Sequence, residues 1–189
     1  MTEIPLSGGF VNRVVRVDDT VRRDPGESAV FVHRLLRFLE ERGWPGAPRF
    51  LGIDSQGREI LTYTVYRSGV AGPRPVALID WDLAAPGARV HDVAHMCWQY
   101  LDLGPEVSDL AEIVDRMRLL CDAYGLEDRG AVVEAVLWWQ RRCRRGIESG
   151  AAAGDAAMVA LREAGAVRAV GAAYEWVRAH RGELESGLR

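Results

Sequence analysis

Two aspartates that follow an apolar run are the residues best placed to do chemistry. The run Val76-Ala77-Leu78-Ile79 predicts a strand that ends at Asp80, and Asp82 follows shortly before a Pro-Gly break. A carboxylate at the rim of a core holds a divalent cation strongly, and Mg²⁺ takes one or two carboxylates together with phosphate oxygens and water. The pair therefore indicates a magnesium site. It fits equally well with a polar turn that begins before the proline.

A glycine pair near the start of the chain could approach a phosphate, and an arginine pair follows it on a predicted strand. Gly8 and Gly9 would let backbone amides approach a phosphate closely, although two glycines also make an ordinary turn. A predicted strand that starts at Thr20 ends in Arg22 and Arg23. From the residues alone these are two solvated arginines at a strand end, although guanidinium groups are able to bind phosphate bidentately. The sequence contains no lysine, which excludes a P-loop and a Schiff-base mechanism.

The segment from Val76 to His95 resembles the metal-binding segment of the aminoglycoside phosphotransferase family. It has Ile-Asp-Trp-Asp, then a Pro-Gly turn, then Asp92-Val93-Ala94 at the start of a predicted helix. The segment from Leu6 to Val17 is similar to that family's opening glycine turn between two strands. Together the two similarities imply a protein-kinase-like fold with a small β-rich lobe and a helical lobe.

The resemblance also assigns roles to individual residues. It makes Asp80 the principal Mg²⁺ ligand, Asp82 a second metal ligand and Asp92 an acid that braces the active-site loop. From the residues alone, Asp92 is equally well an N-cap of the helix that follows. The bound cofactor would be ATP, held by Gly8, Gly9 and a strand-borne cation, for which Arg23 must stand in for lysine, or Arg22 if the opposite face is used. The acceptor would be the hydroxyl of a small molecule, and the net charge of −3 suits a cationic one. An acid on the helix after that strand normally orients the cation, and the sequence does not identify one.

The catalytic loop of the family is missing. Kinases of this fold carry H-x-D-x-x-x-x-N, in which the aspartate takes the proton of the attacking hydroxyl. No H-x-D occurs in this sequence, and its one asparagine is Asn12. Only residues 64–75 separate the predicted hairpin from the Asp80 strand, so the chain is interpreted as shortened by an internal deletion. The catalytic base is unassigned, with Asp82, His91 and His95 as the nearest titratable candidates.

The deletion has consequences for function and assembly. We expect weak turnover, and the alternative function is an inactive pseudokinase that binds a nucleotide, another ligand or a protein. Lost helices would leave apolar surface exposed, which a homodimer would bury. A pI near 5.8 argues against a nucleic-acid partner, and the absence of a long apolar run argues against a membrane span. Three widely spaced cysteines indicate reduced thiols in the cytoplasm; they are Cys97, Cys121 and Cys143.

The pattern of apolar residues predicts strands first and helices afterwards, which is an α+β fold. Along the kinase resemblance the chain divides into a nucleotide-binding part, residues 1–65, and a truncated, mainly helical part, residues 66–189. The predicted strands are Phe10–Val17, Thr20–Arg23, Phe50–Ile53, Glu59–Val65 and Val76–Ile79. The predicted helices are Ala29–Arg42, Val93–Leu103, Val107–Tyr124, Arg129–Ser149 and Asp155–Arg181, the last with a break near Gly165. Residues 151–154 are predicted to form a loop.

Overall fold

Among the described residues the strands come before all helices but one, so the prediction of an α+β fold is confirmed. The computed structural model describes residues 2–6, 14–63, 68–69, 72–73, 78–81 and 84–189. Its strands are β1 Ile4–Pro5, β2 Val14–Val17, β3 Thr20–Arg23, β4 Phe50–Ile53, β5 Glu59–Thr62, β6 Ser68–Gly69 and β7 Gly72–Pro73. Its helices are α1 Ala29–Glu41, α2 Arg89–Tyr100, α3 Leu110–Tyr124, α4 Val132–Ala152, α5 Ala156–Glu163, α6 Ala166–Ala179 and α7 Arg181–Leu188.

Five of the strands form one antiparallel sheet in the order β1-β2-β3-β5-β4, and β6 pairs with β7 separately. Within the sheet, β3 and β5 are aligned so that Arg23 lies opposite Glu59 and Thr20 lies opposite Thr62. Side chains alternate between the two faces of a strand. This register therefore places the side chains of Arg23 and Glu59 on the same face of the sheet.

Helix α1 lies in sequence between β3 and β4 and packs on the sheet through an apolar stripe. Val32 and Leu36, one helical turn apart, are almost fully buried and join Phe50 and Leu61 in a small core. The helix ends before Gly43, whose φ of 68° is a left-handed conformation that glycine adopts without steric cost. The prediction of a helix that starts at Ala29 and stops near this glycine is confirmed.

Five helices, α2, α3, α4, α6 and α7, share a second and larger apolar core. Helix α4 is its longest element and packs against α2, α5, α6 and α7. Helix α7 closes the core against α3, with Leu184 and Leu188 buried. The fit there is tight, because a Cβ atom on Gly187 would lie 2.5 Å from Val114 Cγ1. Burial of such apolar surface supplies the main favourable free energy of folding.

Several local predictions differ from the structure. Leu78 and Ile79 were expected in a strand, yet neither is in one: the Leu78 amide donates to the Gly46 carbonyl at 2.7 Å, and both side chains are exposed. An apolar run forms a strand only where a neighbouring strand is there to pair with it. The loop predicted over residues 151–154 was wrong at its start, because α4 continues through Ala152. The predicted break at Gly165 is confirmed, and its φ is 85°.

The chain divides into two compact units, residues 1–86 and residues 87–189, which are called here the N-terminal unit and the helical unit. The predicted boundary between residues 65 and 66 depends on the kinase resemblance and stays a prediction. Within the parts of the chain that the structure describes, no helix is long and apolar enough to cross a membrane.

Candidate functional site

A buried ion pair joins two strands of the N-terminal unit. The Arg23 guanidinium, at the end of β3, donates through Nε to Glu59 Oε1 at the start of β5. Both residues are buried, Arg23 at 8% and Glu59 at 2% exposure. A buried charge is tolerated only when it is paired and hydrogen-bonded. Of the two adjacent arginines, Arg23 is therefore the one whose side chain is buried.

Helix α1 contributes a third member to this network. His33 Nε2 lies 2.6 Å from Glu59 Oε2, so the carboxylate binds a guanidinium with one oxygen and an imidazole with the other. The His33 ring stacks on Phe50, with 3.7 Å between the ring centroids. Arg23, Glu59 and His33 therefore form one connected group, called here the β3–β5 charge network.

The acid that orients Arg23 was missed from the sequence because it was sought on the helix. Glu59 lies on the strand opposite, and α1 supplies a histidine instead. One signal was present: Glu59 and Leu61 are two residues apart on a strand, and Leu61 belongs to the apolar core. The alternation of a strand therefore assigns Glu59 to the buried face as well.

Arg22 belongs to a different cluster, with Asp54 and Arg58. Arg22 Nε lies 3.9 Å from Asp54 Oδ2, and the same carboxylate oxygen accepts from Arg58 Nε at 2.9 Å. Burial by itself would raise the pKa of Asp54. Hydrogen bonds from the backbone and side chain of Arg58 and from the backbone of Gln56 outweigh it, so that pKa lies below its usual value. Arg22 therefore takes part in a structural charge cluster at the edge of the β4–β5 turn.

Of the predicted metal ligands, Asp80 lies in the described part of the chain, and Asp82, like Gly8 and Gly9, lies outside it. Asp80 is exposed, and its φ of 67° is left-handed, a conformation that aspartate tolerates better than most residues. The carboxylate thus projects from a loop and not from the desolvated end of a buried strand. In sequence, Gly8 and Gly9 fall between β1 and β2, which pair with each other.

The backbone on both sides of Asp80 is held by its neighbours. Trp81 Nε1 donates to the Leu78 carbonyl at 2.8 Å, and its ring packs edge-to-face on Trp44, with 6.4 Å between centroids. The Ala84 amide donates to the Trp81 carbonyl at 2.9 Å. Trp81 and Ala84 both pack on the small core of the N-terminal unit. The left-handed backbone of Asp80 therefore lies between residues that are held by hydrogen bonds and by packing on the core.

The residues present suit Mg²⁺ only as a partner of phosphate groups. Among the described residues, no group of three or more acidic, histidine or cysteine side chains could hold a metal ion. Mg²⁺ needs only one or two carboxylates when phosphates and water complete its octahedron. Asp80, an exposed carboxylate, suits that role.

Asp92 does not cap α2, since the helix begins three residues earlier at Arg89. Its Oδ2 atom accepts a hydrogen bond from the Tyr124 hydroxyl at 2.5 Å. This hydrogen bond raises the pKa of Tyr124. Arg89 donates to the Tyr124 carbonyl at 2.7 Å and lies over the same ring. Asp92 therefore braces the start of α2 against the end of α3.

His91 and His95, the candidate bases, pack among tryptophans in the helical unit. The His95 ring lies 5.0 Å from Trp139 and 6.0 Å from Trp98, and the His91 ring lies 4.8 Å from Trp138. Burial lowers the pKa of His95, although the charge of Asp92 opposes this shift. These surroundings are typical of packed histidines, and they give neither ring a carboxylate at hydrogen-bond distance among the residues described.

The thiols are all reduced, and two of them, Cys97 and Cys121, are buried in the helical core. Burial raises the pKa of Cys97 to about 12, so its thiolate is scarce at neutral pH. Burial also raises the pKa of Cys121 and of the half-buried Cys143. None of the three is suited to nucleophilic catalysis.

Comparison with known proteins gives one distant relative. No model of a protein family matches this chain, and no solved structure matches it. The chain is 26% identical to the trifolitoxin immunity protein of Rhizobium leguminosarum bv. trifolii over 213 alignment positions, which cover 71% of this chain and 79% of that protein. Since 71% of 189 residues is about 134, about 79 of the 213 positions have no residue in this chain.

Proposed function

We propose that this chain is a shortened small-molecule kinase of the aminoglycoside phosphotransferase type, which binds Mg-ATP through its N-terminal unit. The observation that carries the proposal is Arg23, buried at the end of the third strand and paired with a carboxylate. Protein kinases place their phosphate-binding lysine on the third strand and orient it with an acid. Here Glu59 supplies the acid from β5, and α1 supplies His33.

The order of elements supports the same conclusion. Two strands flank the glycine pair, the third strand carries the cation, a helix follows, and two further strands complete an antiparallel sheet of five. In this proposal Gly8, Gly9 and Arg23 hold the phosphates, and Asp80 and Asp82 hold Mg²⁺. The bound nucleotide would supply the phosphoryl group, and a hydroxyl of a small, cationic molecule would accept it.

Binding is expected to be better preserved than turnover. The sequence lacks the loop with the catalytic base, and about 79 alignment positions of the relative have no counterpart in this chain. Phosphoryl transfer depends mainly on positioning and on neutralising charge, so losing the base alone does not abolish it. Losing the loop that positions the acceptor lowers the rate much further.

The first experiment is calorimetric titration of the chain with ATP, with and without Mg²⁺. We expect Mg²⁺-dependent binding that weakens at least roughly tenfold in Asp80→Asn, because a ligand carboxylate is lost. Asparagine keeps the left-handed backbone accessible, so this variant should fold. Asp18→Asn is the matched control, since Asp18 is also exposed and left-handed, with φ of 53°, in the same unit.

Two results would reject the proposal. Absence of Mg-ATP binding by a chain with intact circular dichroism would remove both the kinase and the nucleotide-binding functions. Equal weakening by Asp80→Asn and Asp18→Asn would show that Asp80 has no specific part in binding. If Mg-ATP does bind, release of ADP on addition of polyhydroxylated amines measures the remaining turnover.

A second candidate function is protection from a toxin by a non-catalytic, ligand-binding protein. The relative that favours it is named as an immunity protein, and the missing catalytic loop removes the main argument for turnover. Expression of this chain in a trifolitoxin-sensitive bacterium tests it. Survival that persists in Asp80→Asn would indicate immunity without a nucleotide. Survival that needs Asp80 would indicate that immunity depends on nucleotide binding.

A further inference from the structure

A small cavity opens between α4 and α6 in the helical unit, away from the residues discussed so far. Its volume is about 190 Å³. Helix α4 lines it with Arg141, Arg144 and Arg145, and α6 contributes Val170 and Tyr174. Arg144 and Arg145 come three and four residues after Arg141, so the three side chains share one face of the helix. Sites for drug-sized ligands occupy about 300–1,000 Å³, so this cavity suits a small ion or the end of a larger molecule.

Two of the three arginines have no partner within the described residues. Arg144 and Arg145 are exposed, and neither forms an ion pair or a hydrogen bond there. Arg141, in contrast, already donates to a carboxylate of its own helix at 2.9 Å. Glu175, the acidic residue of the lining, pairs with Arg178 at 3.0 Å. Two guanidinium groups therefore remain available to an anion.

The Tyr174 hydroxyl adds a donor beside the arginines. Its oxygen accepts a hydrogen bond from Arg141 Nη1 at 3.3 Å, and its own proton is donated to no group among the described residues. Val170, one helical turn earlier on α6, gives the cavity an apolar wall. Gln140 also borders the cavity, but its amide atoms are fully buried, so a ligand cannot reach them. The unpaired polar groups that a ligand can reach are therefore hydrogen-bond donors, two of them charged.

We propose that this cavity binds a phosphate dianion, either inorganic phosphate or the terminal phosphate of a small phosphate ester. A phosphate group on an ester carries about −1.5 to −2 charges at pH 7 and presents three strong acceptor oxygens. That charge matches the two guanidinium groups of Arg144 and Arg145, which bind phosphate through charge-assisted hydrogen bonds, and the Tyr174 hydroxyl donates to a remaining oxygen. A carboxylate has less charge and only two oxygens, so it matches the cavity less well. The proposal is independent of nucleotide binding by the N-terminal unit.

The test is calorimetry on the full chain with inorganic phosphate and with methyl phosphate, at constant ionic strength and without Mg²⁺. Acetate, a monoanion, should bind at least roughly tenfold more weakly than either. Arg144→Gln combined with Arg145→Gln should weaken phosphate binding at least roughly tenfold, because both charged donors are lost. Tyr174→Phe keeps the ring and should weaken binding roughly fivefold, which is the effect of one hydrogen bond.

The matched control is Arg142→Gln combined with Arg168→Gln. These two exposed arginines lie on α4 and α6 as well, but neither lines the cavity. The control removes as much positive charge as the first double variant does. It should change the affinity for phosphate by less than about twofold, because salt screens charges that do not contact the ligand.

Equal losses of affinity in the two double variants would overturn the proposal, because they would reflect general attraction of anions to arginine. Acetate binding as strong as phosphate binding would also overturn it. So would a folded chain, with intact circular dichroism, that binds neither phosphate probe at millimolar concentration. Tighter binding of methyl phosphate than of inorganic phosphate assigns a phosphate ester as the ligand, and the reverse order assigns inorganic phosphate; both support the proposed chemistry.

Discussion

The two compact units differ in whether their buried polar side chains have hydrogen-bond partners among the described residues. In the N-terminal unit, Glu59 binds both Arg23 and His33, so each member of the β3–β5 charge network has a partner in the chain. In the helical unit, Gln140 is fully buried with both amide atoms unpaired within the described residues. A buried polar group is costly unless it is hydrogen-bonded. Each member of the first group has a partner within the chain, whereas the amide of Gln140 has none among the described residues.

The apolar cores of the two units also differ in size. The N-terminal unit buries only a small apolar cluster, formed by Val32, Leu36, Phe50 and Leu61. The helical unit buries a much larger cluster drawn from five of its helices and the connection after α2. A small core gives a unit less stability, so its paired charges matter more. The predictions below test that contrast, starting with the largest expected effect.

Removing the carboxylate from the charge network should cost the most. In Glu59→Ala the buried guanidinium of Arg23 loses its carboxylate partner, and breaking a buried pair in this way costs about 3–5 kcal/mol of unfolding free energy. Urea denaturation followed by circular dichroism measures the loss. Glu40→Ala is the matched control, because Glu40 is half exposed and forms a 3.6 Å surface pair with Arg49, worth less than about 1 kcal/mol. Similar losses in the two variants would contradict a structural role for the network.

In the helical unit, the largest loss should come from an apolar side chain. Met117 is fully buried on α3, so Met117→Ala removes buried surface and leaves a cavity, at a cost of about 2–5 kcal/mol. Leu119, two residues away on the same helix, is 67% exposed. Leu119→Ala should change the unfolding free energy by less than about 0.5 kcal/mol in the same denaturation experiment. Equal losses of unfolding free energy in the two variants would mean that burial of apolar side chains does not dominate the stability of the helical unit.

The smallest effect is a dependence of stability on pH that arises from His95. Burial lowers its pKa below the ordinary value of 6.5, so just below pH 6.5 the unfolded chain binds this proton more readily than the folded chain. Acid therefore favours unfolding, and the contribution of His95 to stability declines as the pH falls from 7 to 5. Thermal unfolding of the parent and of His95→Gln across this range should show a smaller decline in the variant. A decline of the same size would assign the pH dependence to other groups.

Much of the fold could be predicted from the sequence because its signals are local. The β2–β3 turn, the β4–β5 hairpin, the start of α1 and the break at Gly165 each follow from residues within a few positions of one another. Leu78 and Ile79 were mispredicted because an apolar run does not itself specify a partner strand. Pairing depends on which segments lie beside it in space.

The candidate sites likewise depend on contacts between residues that are distant in sequence. Arg23 could be chosen from its position on a strand, but its partner Glu59 lies 36 residues away and became evident only from the register between β3 and β5. Gln140 gave no signal at all, since a glutamine on an amphipathic helix is ordinarily a solvated residue. Its burial depends on how α6 packs over α4, which no local pattern records.

The tight contact between Gly187 and Val114 makes a short helix part of a large cooperative structure. An eight-residue helix in isolation would fray within microseconds, because nucleation is costly and few hydrogen bonds follow it. Here Leu184 and Leu188 are sealed into the shared core, so α7 cannot open without exposing the interior of α3. Its amide protons should therefore exchange with solvent as slowly as those of the long helices it closes.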